Sequence, residues 1–298
     1  MAQVKTIGYA EFQKRFSSED MCRNHLFEVK FPSGFVCPKC GCIEYYSVNS
    51  RNLYQCKECR YQASVTSGSV MHGSHLTLTV WFWAIYLVSR DKRGYSAAQL
   101  SRELDLPYKT AWFLLQRVRA AMSQRDEQYY LTGIVEFDDT YFGKPKKGGK
   151  RGRGTKKSKV VVAVSKSNKS KPHFVKMQVV PNLKAKTIGN FAWLNIAEGS
   201  VIQTDAYHSY RKPLSQKYEH LYQVFDPDGE MLRWLHIIIG NAKAFVTGTF
   251  HGLDEKYLQR YLDEFCYRFN RRFQPDIFSN LLVAVICAKS ISLAELKG

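Results

Sequence analysis

The sequence lacks any long hydrophobic run. The longest apolar run near the C-terminus, residues 281–288, is far too short to cross a bilayer. Residues 1–10 also lack the continuous apolar core of a secretory signal peptide. These absences argue against a membrane-spanning or secreted protein. We therefore expect a cytoplasmic protein with no membrane partner, whose cysteines are kept reduced.

Acidic residues are also scarce. The 298-residue chain has 26 acidic against 44 basic residues, which gives a formal net charge of +18. Such a surplus indicates a polyanionic partner, either nucleic acid or an acidic membrane surface, and the cysteine and helix patterns described next favour nucleic acid. Hydrophobic residues make up 45% of the chain and aromatic residues 14%, which argues against disorder. The length is sufficient for two or three domains with their own cores.

Four of the cysteines form two Cys-x-x-Cys pairs. The pairs are separated by fifteen residues and consist of Cys37, Cys40, Cys56 and Cys59. This spacing is typical of one tetrahedral Zn²⁺ ion bound by four thiolates. Two disulfides, or buried thiols that only pack, are the alternatives, but disulfide frameworks belong to small secreted domains. The sequence predicts a zinc ribbon at residues 35–68. Cys42 breaks the spacing and is predicted not to bind the ion.

Residues 69–130 have the pattern of three helices. The first two cover residues 76–89 and 96–104, and Pro107 opens the third, a position for which its fixed backbone angle is suited. A tight connection before the third helix indicates a helix-turn-helix. In that case the start of the third helix would contact base edges through Tyr108, Lys109 and Thr110. The alternative is a small helical bundle that only links two domains.

From residue 133 the hydrophobic pattern changes to short β-rich segments. The predicted strands cover residues 134–137, 159–165, 173–180, 201–204 and 221–225. The predicted helices cover residues 185–197, 207–218, 230–246 and 253–272. Three strands, a helix, a strand, a helix, a strand and then helices is the order of a ribonuclease H-like α/β fold.

A basic stretch, residues 143–159, interrupts the predicted sheet. It contains no acidic residue and is rich in glycine, lysine and arginine. This composition is typical of a solvated loop, and beside a nuclease-like centre its cations would neutralise DNA phosphates. The candidate phosphate contacts are Lys147, Lys150, Arg151 and Arg153. We expect phosphate contact here without reading of the base sequence.

Two aspartates are predicted to end hydrophobic strands of this domain. Strand alternation puts Glu136 and Asp138 on one face and leaves Asp139 in phase with the apolar residues, which favours Asp138 as a site-facing carboxylate. Asp205 follows the next core strand. In a ribonuclease H-like sheet the two strands are neighbours, so the carboxylates would converge. Such a pair suits Mg²⁺ or Mn²⁺ and phosphodiester chemistry. Taken alone, either aspartate could equally be a surface turn residue or a helix cap.

Several segments of the chain together resemble bacterial insertion-sequence transposases. They are the ribbon, A-W-F-L-L-Q-R-V-R (111–119), F-D-D-T-Y-F-G-K (137–144), Q-T-D-A-Y-H-S-Y (203–210), G-T-F-H-G (248–252) and Y-L-Q-R-Y-L-D-E-F-C-Y-R-F-N-R-R (257–272). More narrowly, they are similar to the ISXO-like family, which joins a zinc ribbon to a DDE-type catalytic domain. The resemblance covers essentially the whole chain. It implies a ribonuclease H-like core, two divalent ions, and cutting and joining of DNA at element ends. Asp138 and Asp205 match the first two catalytic acids of the family.

The third catalytic position departs from the usual family pattern. The family's glutamate precedes a helical lysine by about two turns, and Lys243 matches that lysine. His236, seven residues earlier, shares its helix face, whereas Asn241 projects about 200° away. Family members carry asparagine or histidine here, so both remain candidates, and His236 is the better match. Either side chain offers a metal one neutral atom, which predicts a weaker or more manganese-tolerant second metal site, or loss of catalysis altogether.

The resemblance also implies a mechanism and partners. Water would attack a phosphodiester in line and leave a 3′-hydroxyl, which would then attack target DNA. Lys243 would hold a phosphate near the element end. The implied partner is double-stranded DNA, on which the protein would assemble as a homo-oligomer. The alternatives are a catalytically inactive DNA-binding relic and a nuclease that cuts without joining.

The predicted domains follow from these patterns. They are a helical segment (1–34), the zinc ribbon (35–68), a helix-turn-helix-like region (69–130) and a ribonuclease H-like catalytic domain (131–298). The last long helix has an aromatic stripe that is typical of a core face: Tyr257, Tyr261, Phe265 and Phe269. For the arginines near its end two roles stay open, contact with phosphate or interaction with the helix dipole: Arg268, Arg271 and Arg272.

Overall fold

The structure, a computed structural model, describes residues 7–143, 155–167, 170–224, 231–251 and 253–297. Its helices are α1 (Tyr9–Phe16), α2 (Glu19–Lys30), α3 (Leu78–Arg90), α4 (Ala97–Glu103), α5 (Tyr108–Asp126), α6 (Ala185–Asn195), α7 (His208–Ser215), α8 (Arg233–Thr249), α9 (Leu258–Asn270), α10 (Ile277–Cys287) and α11 (Leu293–Lys297). Its strands are β1 (Tyr45–Val48), β2 (Leu53–Cys56), β3 (Gln62–Ala63), β4 (Ile134–Phe142), β5 (Ser158–Lys166), β6 (Pro172–Val180), β7 (Val201–Asp205) and β8 (Glu219–Gln223). In these ranges no helix combines the length and the apolar character that a membrane span requires.

The chain divides into two compact units. One comprises Met1–Arg125 together with Phe273–Gly298, and the other is Asp126–Arg272. The sequence analysis assigned everything from residue 131 onward to the catalytic domain, but α10 packs with α2 and α3. The physical reason is apolar burial: Phe278 of α10 is fully buried, and its ring lies 5.6 Å from that of Phe12 in α1.

The zinc-ribbon region is a three-stranded antiparallel sheet in the order β1-β2-β3. Strands β1 and β2 form an antiparallel hairpin that leads from the first cysteine pair to the second. Aromatic rings pack this sheet against α2, with Phe27 4.7 Å from Tyr54 between ring centroids. The ammonium of Lys30, the last residue of α2, donates hydrogen bonds to the carbonyls of Ser64, Val65 and Ser67. Helix α2 and the ribbon therefore form one packed module.

Helices α4 and α5, joined by a tight turn, occupy the region predicted to be a helix-turn-helix. The connection between them turns at Asp105, whose φ is +51°, and Ser101 closes it by donating its hydroxyl to the carbonyl of Leu106 at 2.6 Å. The carbonyl of Pro107 accepts the N–H of Ala111, so Pro107 is the cap residue immediately before α5, and the helix begins one position later than the sequence predicted. Local sequence signals therefore place both helices and their turn.

The second unit contains a five-stranded sheet in the order β6-β5-β4-β7-β8. Strand β4 pairs with β5, and β5 with β6, in antiparallel fashion, whereas β4, β7 and β8 are parallel. This order confirms the predicted ribonuclease H-like fold. The nearly continuous apolar run of β5 is buried on both faces because helices cover both sides of the sheet.

Each face of the sheet has its own core. Alternate residues of β5 serve different cores: Val160, Val162 and Val164 pack with residues of α8 and α9, whereas Val161 and Ala163 pack with residues of α6 and α7. The aromatic stripe of α9 contributes to the first of these cores, as predicted. Strand β4 is central and contributes to both cores.

The arginines of the α9 region make structural contacts, and Arg271 and Arg272 donate to the carbonyls of Tyr267 and Phe269 in the last turn of α9, as the helix-dipole role predicts. Arg268 pairs with the buried carboxylate of Glu264 at 2.7 Å. Arg271 lies 2.6 Å from the carboxylate of Asp126, and both side chains are largely buried. Arg272 donates to backbone carbonyls, including that of His173 at 3.0 Å. The sequence pattern could not show this because Asp126 lies far from Arg271 along the chain.

Candidate active site and zinc centre

Two aspartates lie at the same level of neighbouring strands. The sequence analysis expected both to end their strands, but β4 continues past Asp138 to Phe142, so only Asp205 ends its strand. The parallel pairing of β4 with β7 runs up to Glu136 and Gln203. Continuing the same register by two residues aligns Asp138 with Asp205. Residues at the same level of parallel strands point to the same face of the sheet.

The carboxylate of Asp138 is held by three groups. Its Oδ1 accepts the N–H of Asp139 at 2.7 Å and the hydroxyl of Tyr210 at 3.2 Å. Its Oδ2 lies 3.5 Å from Nε2 of His236. Burial raises the pKa of Asp138, the contacts with His236 and the Asp139 amide lower it, and the charges of Asp139 and Asp205 raise it, with a net rise. A bound cation would relieve the repulsion among these carboxylates.

Tyr210 of α7 connects the adjacent acids. Its buried hydroxyl donates to Oδ1 of Asp139 at 2.6 Å as well as approaching Asp138. Burial and the surrounding carboxylates raise the pKa of Tyr210 well above its ordinary value, so it remains a hydrogen-bond donor. The sequence analysis did not single out Tyr210. Its only signal was its place in the segment that follows Asp205.

Helix α8 carries the three remaining candidates. His236 faces Asp138, and its side chain is 40% exposed. Asn241 is also exposed, five residues later and therefore about 140° around the helix from His236. Lys243 is two turns beyond His236 on the same face, and its ammonium lies 6.0 Å from the centre of the Phe142 ring. Burial, together with the charge of Lys157, lowers the pKa of Lys243.

The acidic site offers a donor set that fits Mg²⁺ or Mn²⁺. Carboxylate oxygens from Asp138 and Asp205 are the ligands that these ions prefer, and the imidazole of His236 is an acceptable third ligand for Mn²⁺. Within the described ranges, only one group of three or more potential metal ligands has all its atoms within 4.8 Å of one another, and it is the cysteine cluster. The two aspartates and the histidine are more widely spaced.

The four predicted zinc ligands come together in the ribbon. The sulfur atoms of Cys37 and Cys59 are 3.5 Å apart, and so are those of Cys40 and Cys56. Tetrahedral Zn²⁺ with thiolate bonds of about 2.3 Å requires sulfurs about 3.8 Å apart, so the cluster fits the ion. Against the effect of burial, backbone N–H donors and neighbouring thiols lower the pKa of Cys56 to about 6. Cys42 is not part of the cluster.

The predicted DNA contacts fall into two groups. At the start of α5, Tyr108 and Lys109 are exposed and Thr110 is half-buried. Their side chains are therefore accessible to a DNA groove. The four candidate phosphate contacts of the basic stretch lie outside the described residues: Lys147, Lys150, Arg151 and Arg153.

Two protein families match this chain. The ISXO2-like transposase domain matches residues 130–270, and the transposase zinc-ribbon domain matches residues 17–62. The chain carries an ISXO2-like transposase domain. The candidate acids and α8 lie inside the matched transposase domain. The matched zinc ribbon contains all four clustered cysteines together with α2, in agreement with the packing of that helix on the ribbon.

One relative matches about half of the chain. An uncharacterized protein in transposable element ISH50 of Halobacterium salinarum is 33% identical over 143 residues. The alignment covers 47% of this chain and 46% of that protein, so the chain spans less than half the length of the relative.

Solved structures show low similarity to this chain. The catalytic core domain of BIV integrase is 12% identical with a TM-score of 0.33, over 51% of this chain and 94% of that chain. A chain of the Mos1 strand transfer complex is 13% identical with a TM-score of 0.24, over 67% of this chain and 77% of that chain. The ribonuclease H-like assignment rests on strand order and register.

Proposed function

We propose that this protein is a DNA transposase that cuts DNA at the ends of its element and joins them to target DNA, using divalent metal ions. The observation that carries the proposal is the shared level of Asp138 and Asp205 on parallel β4 and β7. These residues lie in a domain of the ISXO2-like transposase family. A family match by itself would leave the chemistry of this chain open, whereas the shared level of the two aspartates on neighbouring parallel strands supports a metal site.

Asp138 and Asp205 would hold the ions. When bound, Mg²⁺ or Mn²⁺ would activate water and stabilise charge on the entering and leaving oxygens. The chain's own groups orient the site: the Asp139 amide and the Tyr210 hydroxyl fix one oxygen of Asp138. Lys243, on the same helix face as His236, would bind a phosphate of the DNA backbone.

His236 is the residue that we propose at the third position. Its imidazole approaches Asp138, whereas Asn241 lies about 140° away around α8. A neutral nitrogen in place of a carboxylate leaves the site with one negative charge fewer. We therefore expect weaker metal binding and better function with Mn²⁺ than with Mg²⁺.

Binding of double-stranded DNA would use the N-terminal unit. The cysteine cluster would hold one structural Zn²⁺ ion and so fold the ribbon. The start of α5 would contact base edges through Tyr108, Lys109 and Thr110. The net charge of +18 supports a polyanionic partner. Assembly as a homo-oligomer on paired ends, and phosphate contacts from the basic stretch of residues 143–159, belong to the same proposal.

A DNA-binding relic is the second candidate function. The observation that favours it is the histidine at the third position, because it removes a metal-binding charge. The relic would retain binding of element ends through the ribbon and α5, and would cleave nothing with either Mg²⁺ or Mn²⁺.

A cleavage assay on DNA that carries the element ends tests the proposal. Asp138→Ala and Asp205→Ala should each abolish cleavage in Mn²⁺ while end binding survives. Glu198→Ala is the matched control, since this exposed acid of the same unit pairs with Lys217 at the surface. Full cleavage by either aspartate variant would contradict the assignment. Absence of cleavage by the native protein would support the relic, and cleavage without strand-transfer products would indicate a nuclease.

A further inference from the structure

The first turn of α8 is capped by a side chain from another element. The helix follows Leu232, whose φ is +58° and whose side chain makes no capping hydrogen bond. The first N–H groups of a helix have no partner inside the helix. Here the N–H of Leu235 donates to Oε2 of Glu136 at 2.8 Å. Glu136 belongs to β4, so the central strand supplies the cap that the helix's own preceding residue lacks.

Glu136 is itself held firmly. Its side chain is 2% exposed, and its Oε1 lies 3.3 Å from the ammonium of Lys166 at the end of β5. The same ammonium donates to the side-chain oxygen of Gln203 in β7 at 2.7 Å. The negative charge at the start of α8 is also favourable for the helix dipole. One buried ion pair thus connects three adjacent strands to the first turn of α8.

This cap lies beside the candidate metal site. Glu136 is two residues before Asp138 on the same face of β4, and Leu235 immediately precedes His236. We propose that Glu136 is a positioning residue, which holds the first turn of α8 so that His236 faces Asp138. The proposal rests on the proposed function, since it assigns importance to the pair formed by His236 and Asp138.

The orientation of His236 matters more than that of a glutamate would. An imidazole offers a metal one nitrogen in the ring plane, whereas a carboxylate offers two oxygens and a negative charge. A small rotation of the first turn of α8 would therefore remove His236 from the site. Outer groups that orient metal ligands are worth about 10- to 100-fold in metal affinity.

The test is a Mn²⁺ titration of the whole, zinc-loaded chain without DNA, in which calorimetry measures the binding. In Glu136→Gln one of the two oxygens becomes an NH₂ donor, so that either Leu235 or Lys166 faces a donor instead of an acceptor, and the charge is lost. The Mn²⁺ dissociation constant should rise about tenfold. Glu264→Gln is a matched control, because Glu264 is also 2% exposed and paired with an arginine, Arg268, in the same unit. That control should leave the Mn²⁺ dissociation constant unchanged.

A double-mutant cycle separates positioning from general stability. Once His236 has been replaced by alanine, adding Glu136→Gln should change Mn²⁺ affinity no further. Equal effects of Glu136→Gln with and without His236, an equal effect of Glu264→Gln, or native affinity in Glu136→Gln would each overturn the proposal. If Glu136→Gln does not fold, Lys166→Met replaces it in the same cycle with the same expected non-additivity. Loss of Mn²⁺ binding in Asp138→Ala keeps the proposed metal site valid whatever the cycle shows for Glu136.

Discussion

Nε2 of His236 in α8 lies 3.5 Å from Oδ2 of Asp138 in β4. The two residues are 98 positions apart in sequence, and each lies inside a regular element, so rigid backbone sets their separation. This pairing puts an imidazole nitrogen where the resemblance to transposases calls for a carboxylate. The choice of metal ion should depend on it.

His236→Glu should shift the metal preference from Mn²⁺ towards Mg²⁺. The substitution restores a third carboxylate, and an additional oxygen ligand with negative charge favours the harder ion. We expect cleavage in Mg²⁺ to increase several-fold relative to cleavage in Mn²⁺, and His236→Ala to reduce cleavage about 10- to 100-fold. Initial rates on DNA that carries the element ends, in each ion, measure both effects.

Asn241→Ala is the control for that series. Asn241 lies on the same helix but about 140° away from His236, so the variant should cleave at close to the native rate. If Asn241→Ala lost cleavage while His236→Ala kept it, the third position would belong to Asn241.

Cys40→Ser should remove bound zinc, whereas Cys42→Ser should not. Cys40 is part of the four-sulfur cluster, and Cys42 is not. Loss of one of four thiolates weakens a structural zinc site and unfolds the ribbon with it. Zinc content by elemental analysis should be one ion per chain in the native protein and in Cys42→Ser. Limited proteolysis should cut the region of residues 17–62 only in Cys40→Ser; equal zinc loss in both variants would make Cys42 a ligand.

Arg271→Ala should destabilise the protein strongly. It would leave the buried carboxylate of Asp126 without its ion-pair partner, and breaking a buried pair in this way costs about 3–5 kcal/mol. The measurement is the free energy of unfolding in urea. Lys217→Ala, which breaks the exposed pair with Glu198, should cost less than about 1 kcal/mol. A stable Arg271→Ala protein with weakened DNA binding would instead assign this arginine to phosphate contact.

Acid should destabilise the N-terminal unit through His25. The imidazole packs between Phe16 and Phe82, and burial, with the charge of Arg15, lowers the pKa of His25 below its usual 6.5. Because the unfolded chain binds this proton more readily, the stabilisation is present above pH 6.5 and is lost as the pH falls through the lower, folded value.

The Tm of His25→Gln should therefore fall less between pH 7.5 and pH 5.5 than the Tm of the native protein. His72→Gln changes an exposed histidine of the same unit. Its Tm should fall by as much as that of the native protein over the same pH range. An unchanged pH dependence in His25→Gln would show that another group is responsible.

Local patterns predicted much of the molecule. Alternation and apolar runs located β4 to β8, and helical spacing located α3 to α9, because secondary structure depends mainly on nearby residues. Spacing alone indicated the zinc cluster, since two Cys-x-x-Cys turns can present their sulfurs to one ion. The end of β4 was predicted too early because Asp138 and Asp139 look like a strand end, whereas pairing with β5 continues the strand to Phe142.

Contacts between distant segments could not be predicted in this way. No local pattern connects Glu136 with the start of α8, Tyr210 with Asp139, or Arg271 with Asp126. Likewise, the apolar character of α10 required burial but did not say in which unit.

The sequence by itself determined the elements, the thiolate cluster and the pair of aspartates as candidates. Only the tertiary structure decided that His236 faces Asp138 and that a glutamate of the central strand caps the helix that carries it. The physical reason is that a helix position is set by where its first turn finds hydrogen-bond acceptors and where its apolar face is buried. Both are properties of the packed sheet rather than of the helix sequence.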